Sequence, residues 1–585
     1  MTGATTSVVA LVLASGGLLA SQGAAQSVAP ATLRRLDTDR AAYVPGTPVH
    51  LTATLAQAQP GRQLVVTYYH LGQVVGRQTV PAPDRTTAWS WQPPKADYQG
   101  YLVQVAAKGQ NPLTTAVDVS SNWQRFPRYG FLSKFGQLPA EHMDSVMRQL
   151  TRYHLNGLQF YDWADKHHQS LAGTPAAPAA EWRDLANRPT YLATVEGYIE
   201  RAHKVGMKAM FYNLLYGAYP DATADGVRPE WGLYRDSLHQ KRYAFDGFPK
   251  GWEAPGLDML DPSNADWQRY LTDQTAKVYA AKGLNFDGWH VDQVGDPGRL
   301  YAYAGQRTDP SLAFGNFLKA AKAAAPTRPL VMNAVNQWGQ ASIATAPIEF
   351  TYSELWTGNE EYASLTKAIQ DNEALVPGKR AVLAAYVNRD RAKAPGLFNP
   401  ASVLLADAVI FAAGGAHIEL GEHMLDTEYF PDNHLQLTSQ LQAQVQAYYD
   451  FAVAYENLLR DPDRRFSSGS AATVGDNAGL SAWPPQLGRV ATMRTQAAGR
   501  QVVHLLNFTN AKTLEWRDNQ AQQPEPTVRP NVRVQVPVTG KITRAWIASP
   551  DFAGGQPQPI AFTQAKEQFT ATVPQLRYWT MLVLE

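Results

Sequence analysis

At 585 residues the chain is too long for one compact core, and its length predicts two to four domains. Its 52 basic and 51 acidic residues leave a formal charge of +1, so no global field draws it to nucleic acid or to an anionic membrane surface. Cysteine is absent, which excludes disulfides, thiol nucleophiles, thiolate metal sites and a lipidated cysteine together.

The chain opens with an apolar run, Val8-Val9-Ala10-Leu11-Val12-Leu13 onward to Leu19-Ala20, followed by Gly23-Ala24-Ala25. That pattern predicts a signal peptide over residues 1–25 and a secreted or periplasmic protein, although the segment before the run has no Lys or Arg. No later stretch offers the roughly 20 uninterrupted apolar residues of a membrane span. Over residues 29–120, short alternating runs such as Val49–Leu55, Leu64–Tyr69 and Tyr101–Val105, with a Pro45-Gly46 turn, predict an immunoglobulin-like β-sandwich.

From about Phe126 strands alternate with helices. Met143, Val146, Met147 and Leu150 share one helical face, as do Val195, Tyr198, Ile199 and Ala202, and Phe314, Phe317, Leu318 and Ala321. Gly157, Gly206 and Gly283 stand where left-handed helix caps are wanted. Eight strands are predicted between the helices, at 129–133, 155–163, 208–216, 286–293, 330–335, 350–356, 381–388 and 408–419. Eight such units imply a central (β/α)8 TIM barrel over residues 126–460, with a long insertion between Gly217 and about Trp267. After 461 the runs Gln501–Leu506, Arg533–Val536 and Tyr578–Leu584 predict a C-terminal antiparallel β-sandwich over 461–585.

A barrel of this kind carries its chemistry where its strands end. In Phe286-Asp287-Gly288-Trp289-His290-Val291-Asp292-Gln293 the two-residue period of a strand turns Trp289 and Val291 outward under the helices and His290 and Asp292 inward. Asp292 is then either a catalytic carboxylate or a residue that caps the next loop. The other strand tips offer Tyr161, Asp162 and Trp163; Tyr212, Asn213 and Tyr216; Asn333 and Asn336; Glu354 with Trp356; Asn388; and His417 and Glu419 followed by Glu422. Carboxylates, amides and aromatics, without a Gly-x-Ser-x-Gly nucleophile, suit an uncharged polyhydroxylated substrate. The aromatic content of 11% fits a cleft that stacks on sugar faces. Glycoside cleavage needs two flanking carboxyl groups, and Asp292 and Glu354 on neighbouring parts of the rim can provide them. Asp287 and Glu349 fall at strand starts and are set aside. His167-His168 beside Asp162 and Asp165 lacks a second ligand cluster, so no metal or other cofactor is expected.

At these positions the sequence resembles glycoside hydrolase family 66, the endo-dextranases and the cycloisomaltooligosaccharide-forming glucanotransferases. The resemblance rests on Phe160-Tyr161-Asp162-Trp163 with His167, Tyr212-Asn213-Leu214-Leu215-Tyr216, Phe286–Asp292, Asn333-Ala334-Val335, Tyr352-Ser353-Glu354-Leu355-Trp356, and Gly414–Glu422 running on to Glu428-Tyr429-Phe430-Pro431. It implies endo-hydrolysis of α-1,6 links in dextran with retention, Asp292 as nucleophile and Glu354 as general acid and base. It further implies that Asp162, Tyr161, Trp163, His167, Asn213, Tyr216, His290, Asn333, Trp356, His417 and Glu419 contact the sugar, with Trp338 a further stacking candidate. The partners expected are dextran and isomaltooligosaccharides, acted on by a monomer. The cyclising members carry an extra carbohydrate-binding module within the barrel, for which the interval from Glu354 to Gly414 leaves no room. Two alternatives remain: a transglycosylase making cyclic or longer isomaltooligosaccharides, and a dextran-binding protein without catalysis.

Overall fold

A computed structural model describes residues 33–467 and 479–585, and the apolar leader read at 1–25 lies outside them. Leu33–Thr38, Val49–Leu55 and Thr86–Trp91 form one antiparallel sheet; Gln63–His70, Gln73–Pro81, Gln99–Ala107 and Leu113–Val119 form another. Alternation is the cause of the packing: Val49, Leu51, Ala53 and Leu55 are buried while His50, Thr52 and Thr54 are not. The two sheets share one core, with Trp91 stacked on Tyr68 at 4.1 Å.

The central sheet has eight parallel strands in sequential order: Tyr129–Leu132, Gly157–Phe160, Lys208–Leu214, Gly288–Asp292, Leu330–Val335, Thr351–Glu354, Ala381–Ala384 and Ala416–His417. The Phe131 N–H donates to the Leu420 carbonyl at 3.2 Å, which brings the segment after the eighth strand back to the first. The fourth strand shows how the sequence sorts its faces. Trp289 packs outward on Phe211 and Phe317, whereas His290 sits inside the barrel against Tyr129, Tyr212 and Tyr352.

Three expectations need correction. Residues 408–412, read as strand, finish the helix Pro400–Ala412, and only Ala416–His417 is strand. That helix is buried on nearly every side, so its sequence has no 3.6-residue alternation to distinguish it from a buried strand. The second strand stops at Phe160 rather than Trp163, because Asp162 has φ +48°. Gly206 does take the left-handed position that ends its helix, at φ 83°, whereas Gly283, at φ 89°, lies in the turn beyond an extended cap at Ala281. Gly157 instead starts a strand, where a Cβ would meet the Trp123 ring at 2.4 Å, and His154 (φ 54°) makes the turn before it.

After the barrel, Val490–Ala497, Arg500–Asn507, Ala545–Ala548 and Trp579–Leu584 lie in a sheet that shares its core with Arg529–Pro537, Phe562–Ala565 and Gln568–Leu576. Both flanking units are tied to the barrel by buried polar groups. Arg128 Nη2 donates to Asp118 at 2.6 Å and Nη1 to Glu456 at 3.3 Å. From the other side, residues 514–523 lie along the barrel rim: Trp516 N–H donates to Glu360 O (2.8 Å), Asn388 N–H to Arg517 O (2.7 Å) and Ser402 Oγ to Asp518 (2.6 Å). Among the described residues no helix is long and apolar enough to cross a membrane.

Candidate active site

Asp292 and Glu354 are each the last residue of their strand, and the fifth strand runs between them. Parity turns Tyr212, Asp292, Asn333 and Glu354 to the same inner side, because Tyr212 pairs with His290, Asn333 with Tyr352 and Val335 with Glu354. Asn333 Nδ2 donates to Asp292 Oδ1 at 2.8 Å and to Glu354 Oε2 at 3.1 Å. One nitrogen reaching both carboxyl groups holds their facing oxygens less than about 6 Å apart. Their outer oxygens are also held: Tyr212 OH donates to Asp292 Oδ2 at 2.6 Å, and Tyr386 OH to Glu354 Oε1 at 2.6 Å.

The two carboxyls differ in charge preference. Burial, reinforced by neighbouring Asp292, pushes Glu354 up to about 7, against the hydrogen bonds of Tyr386, Asn333 and Trp356. Burial raises Asp292 as well, opposed by Tyr212, the Gln293 N–H and Asn333, all of which favour the carboxylate.

These groups floor a cleft of about 670 Å³. Tyr161, Asp162 and His167 line one side, and Trp356 and Glu428 another. Phe245, Phe248 and Trp252 of the 217–267 insertion form a third wall. Tyr161 is stacked on Phe430 at 4.4 Å. Asp162 sits in a left-handed conformation, a strain that tends to persist at functional sites, and burial lifts its carboxyl to about 7 despite Arg188. Burial drops His167 to about 4, so its ring is neutral. Asn213 Nδ2 donates to the His167 carbonyl at 2.8 Å, which leaves Asn213 Oδ1 to accept from His167 Nδ1 at 2.8 Å. His167 Nε2 is therefore an acceptor.

Of the residues expected to touch a sugar, Tyr161, Asp162, His167, Asp292, Glu354 and Trp356 line this cleft, and Asn333 lies between the carboxyls. Six others stand behind it, and the reason is strand parity or core packing. Trp163 has no exposure and packs on Trp182 and Phe286. Tyr216 is buried, stacks on Phe314 and accepts the Val294 N–H at 3.1 Å. Asn213 faces outward from its strand and serves His167. His290 is enclosed in the barrel, where burial lowers it to about 3. His417 ends the eighth strand and Glu419 follows it, with His417 Nδ1 2.8 Å from Asp407 and 3.4 Å from Glu419, away from the cleft. Tyr449 OH donates to Glu419 at 3.0 Å, and burial first, then the Asp407–Glu419 proximity, raises Glu419 to about 8. Trp338 packs edge-on to Phe314 away from the cleft.

The residues missed are Tyr386 and Trp252. The sequence puts Tyr212 at its strand tip without a role, which parity could have supplied, since it shares a face with Met210 and Leu214. Tyr386 lies beyond its strand and left no such signal.

Comparison with known proteins bears on this arrangement. Residues 38–583 match the family described as Glycosyl hydrolase family 66. Two cycloisomaltooligosaccharide glucanotransferases of Niallia circulans are 26% and 27% identical, over 94% and 98% of this chain and 72% and 74% of theirs. A dextranase of Streptococcus salivarius is 23% identical over 89% of this chain and 72% of its own. The crystal structure of a Paenibacillus cycloisomaltooligosaccharide glucanotransferase complexed with cycloisomaltoheptaose superposes with a TM-score of 0.88 at 25% identity, covering 94% of this chain and 99% of that one. The glucanotransferase alignments run over 711 and 733 positions, more than this chain's length, so those relatives carry residues within the matched region that it lacks.

Proposed function

The chain belongs to glycosyl hydrolase family 66, and from that premise we propose that it cuts α-1,6-glucosidic links within dextran by retaining double displacement, releasing isomaltooligosaccharides. The observation that carries this reading is the Asn333 amide shared by Asp292 and Glu354. Retaining glycosidases hold their carboxyl groups about 5–5.5 Å apart, whereas inverting ones need about 6.5–9.5 Å to admit a water, and a single bridging nitrogen favours the shorter distance.

In this mechanism Asp292 attacks the anomeric carbon while Glu354 gives its proton to the departing glucosidic oxygen. The C–O bond breaks as the Asp292–glucosyl ester forms. Glu354, now a carboxylate, takes a proton from water, whose oxygen displaces Asp292 from the anomeric carbon. Each carboxyl is suited to its part: three donors favour charge on Asp292, and burial beside it favours the proton on Glu354. Asp162 and His167 provide acceptors for sugar hydroxyls, and Tyr161 and Trp356 provide ring faces.

Transfer to a sugar instead of water is the second reading, favoured by the likeness to the glucanotransferases. Hydrolysis is preferred because residues 355–415 are occupied by the helix Tyr362–Leu375, the seventh strand and the helix Pro400–Ala412, with no inserted module. A polymeric substrate met outside the cell also fits the leader read at 1–25.

Product analysis on dextran, for the native protein beside Asp292→Gly and Glu354→Gln, tests the proposal. Short linear isomaltooligosaccharides, an initial α-anomer by NMR and a loss of at least about 10³-fold in both variants are expected. An initial β-anomer would overturn retention. Undiminished cutting by either variant would overturn the site.

A further inference from the structure

Trp356 lies two residues beyond Glu354, borders the cleft and keeps its side chain close enough to Glu354 to favour that residue's charged form. Its ring is held by two guanidinium groups of different origin. Arg389, from the loop after the seventh strand, lies over the indole at 5.0 Å and is gripped by Glu428, with Nε donating at 2.7 Å. Arg517 comes from the C-terminal sandwich and lies over the same indole at 5.2 Å. It is an unusual residue for such a place. It is buried, forms no ion pair among the described residues, and its Nε has no acceptor. Nη2 donates to the Leu355 carbonyl at 2.6 Å, and the cation stacks on Trp516 at 4.8 Å as well. A buried guanidinium whose Nε has no acceptor is costly to keep, and the contact it maintains is with a cleft-lining ring.

The side of the cleft follows from chemistry. The acid that protonates the departing oxygen stands on the leaving-group side, where an acceptor must later enter to meet the covalent intermediate. Resting on the retaining reading above, we propose that Arg517 is a positioning residue that fixes Trp356 as the platform for the leaving and acceptor sugar, so that the C-terminal sandwich sets how the glucosyl intermediate divides between water and an acceptor. Arg517 does not itself touch the reacting atoms. It acts by denying the indole other rotamers, which preserves stacking area for a sugar face.

The test uses the full chain as native protein, Arg517→Ala and Arg517→Lys. Dextran is supplied with and without added isomaltose, and the ratio of transfer to hydrolysis products is read by chromatography. A second assay follows cleavage of an aryl α-isomaltoside, whose activated leaving group needs neither a sugar platform nor full protonation. In both variants the transfer-to-hydrolysis ratio is expected to fall about five- to tenfold, with a higher isomaltose concentration for half-maximal transfer, and aryl cleavage to fall much less. Lysine keeps the charge and a donor for Leu355 but not the planar fork, so it keeps the test open if the alanine variant does not fold. A ratio unchanged within about twofold overturns the proposal. So does an equal loss in both assays, which would mark Arg517 as structural only. If the native protein leaves dextran intact, the hydrolase reading fails and takes this inference with it; if it cuts dextran normally and the ratio does not move, only the role of Arg517 fails.

Discussion

Asn333 divides one NH₂ group between two carboxyls, while Tyr212 serves only Asp292 and Tyr386 only Glu354. Each donor stabilises a carboxylate, so deleting it raises that group's pKa. The proposed mechanism needs Asp292 ionised and Glu354 protonated, so the native alkaline limb should fall near the Glu354 value of about 7. Tyr386→Phe should move that limb to higher pH by about 0.5–1 unit and leave the acid limb in place, whereas Tyr212→Phe should raise the acid limb alone. Asn333→Ala should raise both, at a cost of about 10–100-fold in kcat/KM. The pH dependence of kcat/KM on dextran checks all three. The strand period made legible that Asp292 and Glu354 stand at strand tips, while on the strand alone Asp292 could equally have capped a loop, and the resemblance supplied their pairing. Trp163 and Tyr216 were misread because an aromatic residue near a strand tip has the same signature whether it fills the core or faces a ligand. Only the three-dimensional neighbours, Trp182 and Phe286 for one and Phe314 for the other, separate the two cases.

Seven of the eight barrel strands were legible from the alternation of strand and helix periods, and the eighth was misplaced where a fully buried helix abolished the period. The insertion between the third and fourth strands was legible as a segment rich in Gly, Pro and aromatics that would wall part of the cleft, but not which of its residues do so. Its role comes from where it folds: Phe248 and Trp252 pack at 4.9 Å, Trp252 meets Tyr429 at 5.3 Å, and the group walls the cleft. Exposed Phe245, at 43%, is left uncovered on that wall and offers further apolar surface. Trp252→Ala should raise KM for dextran about five- to tenfold with kcat within about twofold, since a stacking ring remote from the carboxyls binds substrate and transition state alike. Initial-rate kinetics on dextran would show a kcat loss instead if the wall shaped the reacting geometry.

Among the described residues the three units are joined through buried contacts. Replacing Arg128 leaves Asp118 buried without its cation and Glu456 with only Arg460, 3.9 Å away, so Arg128→Met should cost about 3–5 kcal/mol, seen as a lower urea midpoint. Stability should also depend on pH in a definite sense. Burial holds His167 and His423 near 4 and His290 and His504 near 3, so the unfolded chain binds their protons first, and these rings taken alone lower stability as pH drops below about 6.5. Glu354 and Asp162 near 7, with Asp407 and Glu419 near 8, act oppositely: the fold keeps protons that the unfolded chain releases. Above 6.5 only these carboxyls still matter, and the melting temperature should decline from pH 6.5 to 8 in calorimetry, less steeply for Glu354→Gln. The loop at 514–523 has a further meaning in time. Synthesis delivers Asp292 and Glu354 well before it delivers Trp516, Arg517 and Asp518. A nascent chain thus possesses both carboxyls while Leu355, Glu360 and Ser402 still await their partners, and the rim reaches its working shape only when the ribosome has made the stretch that closes it.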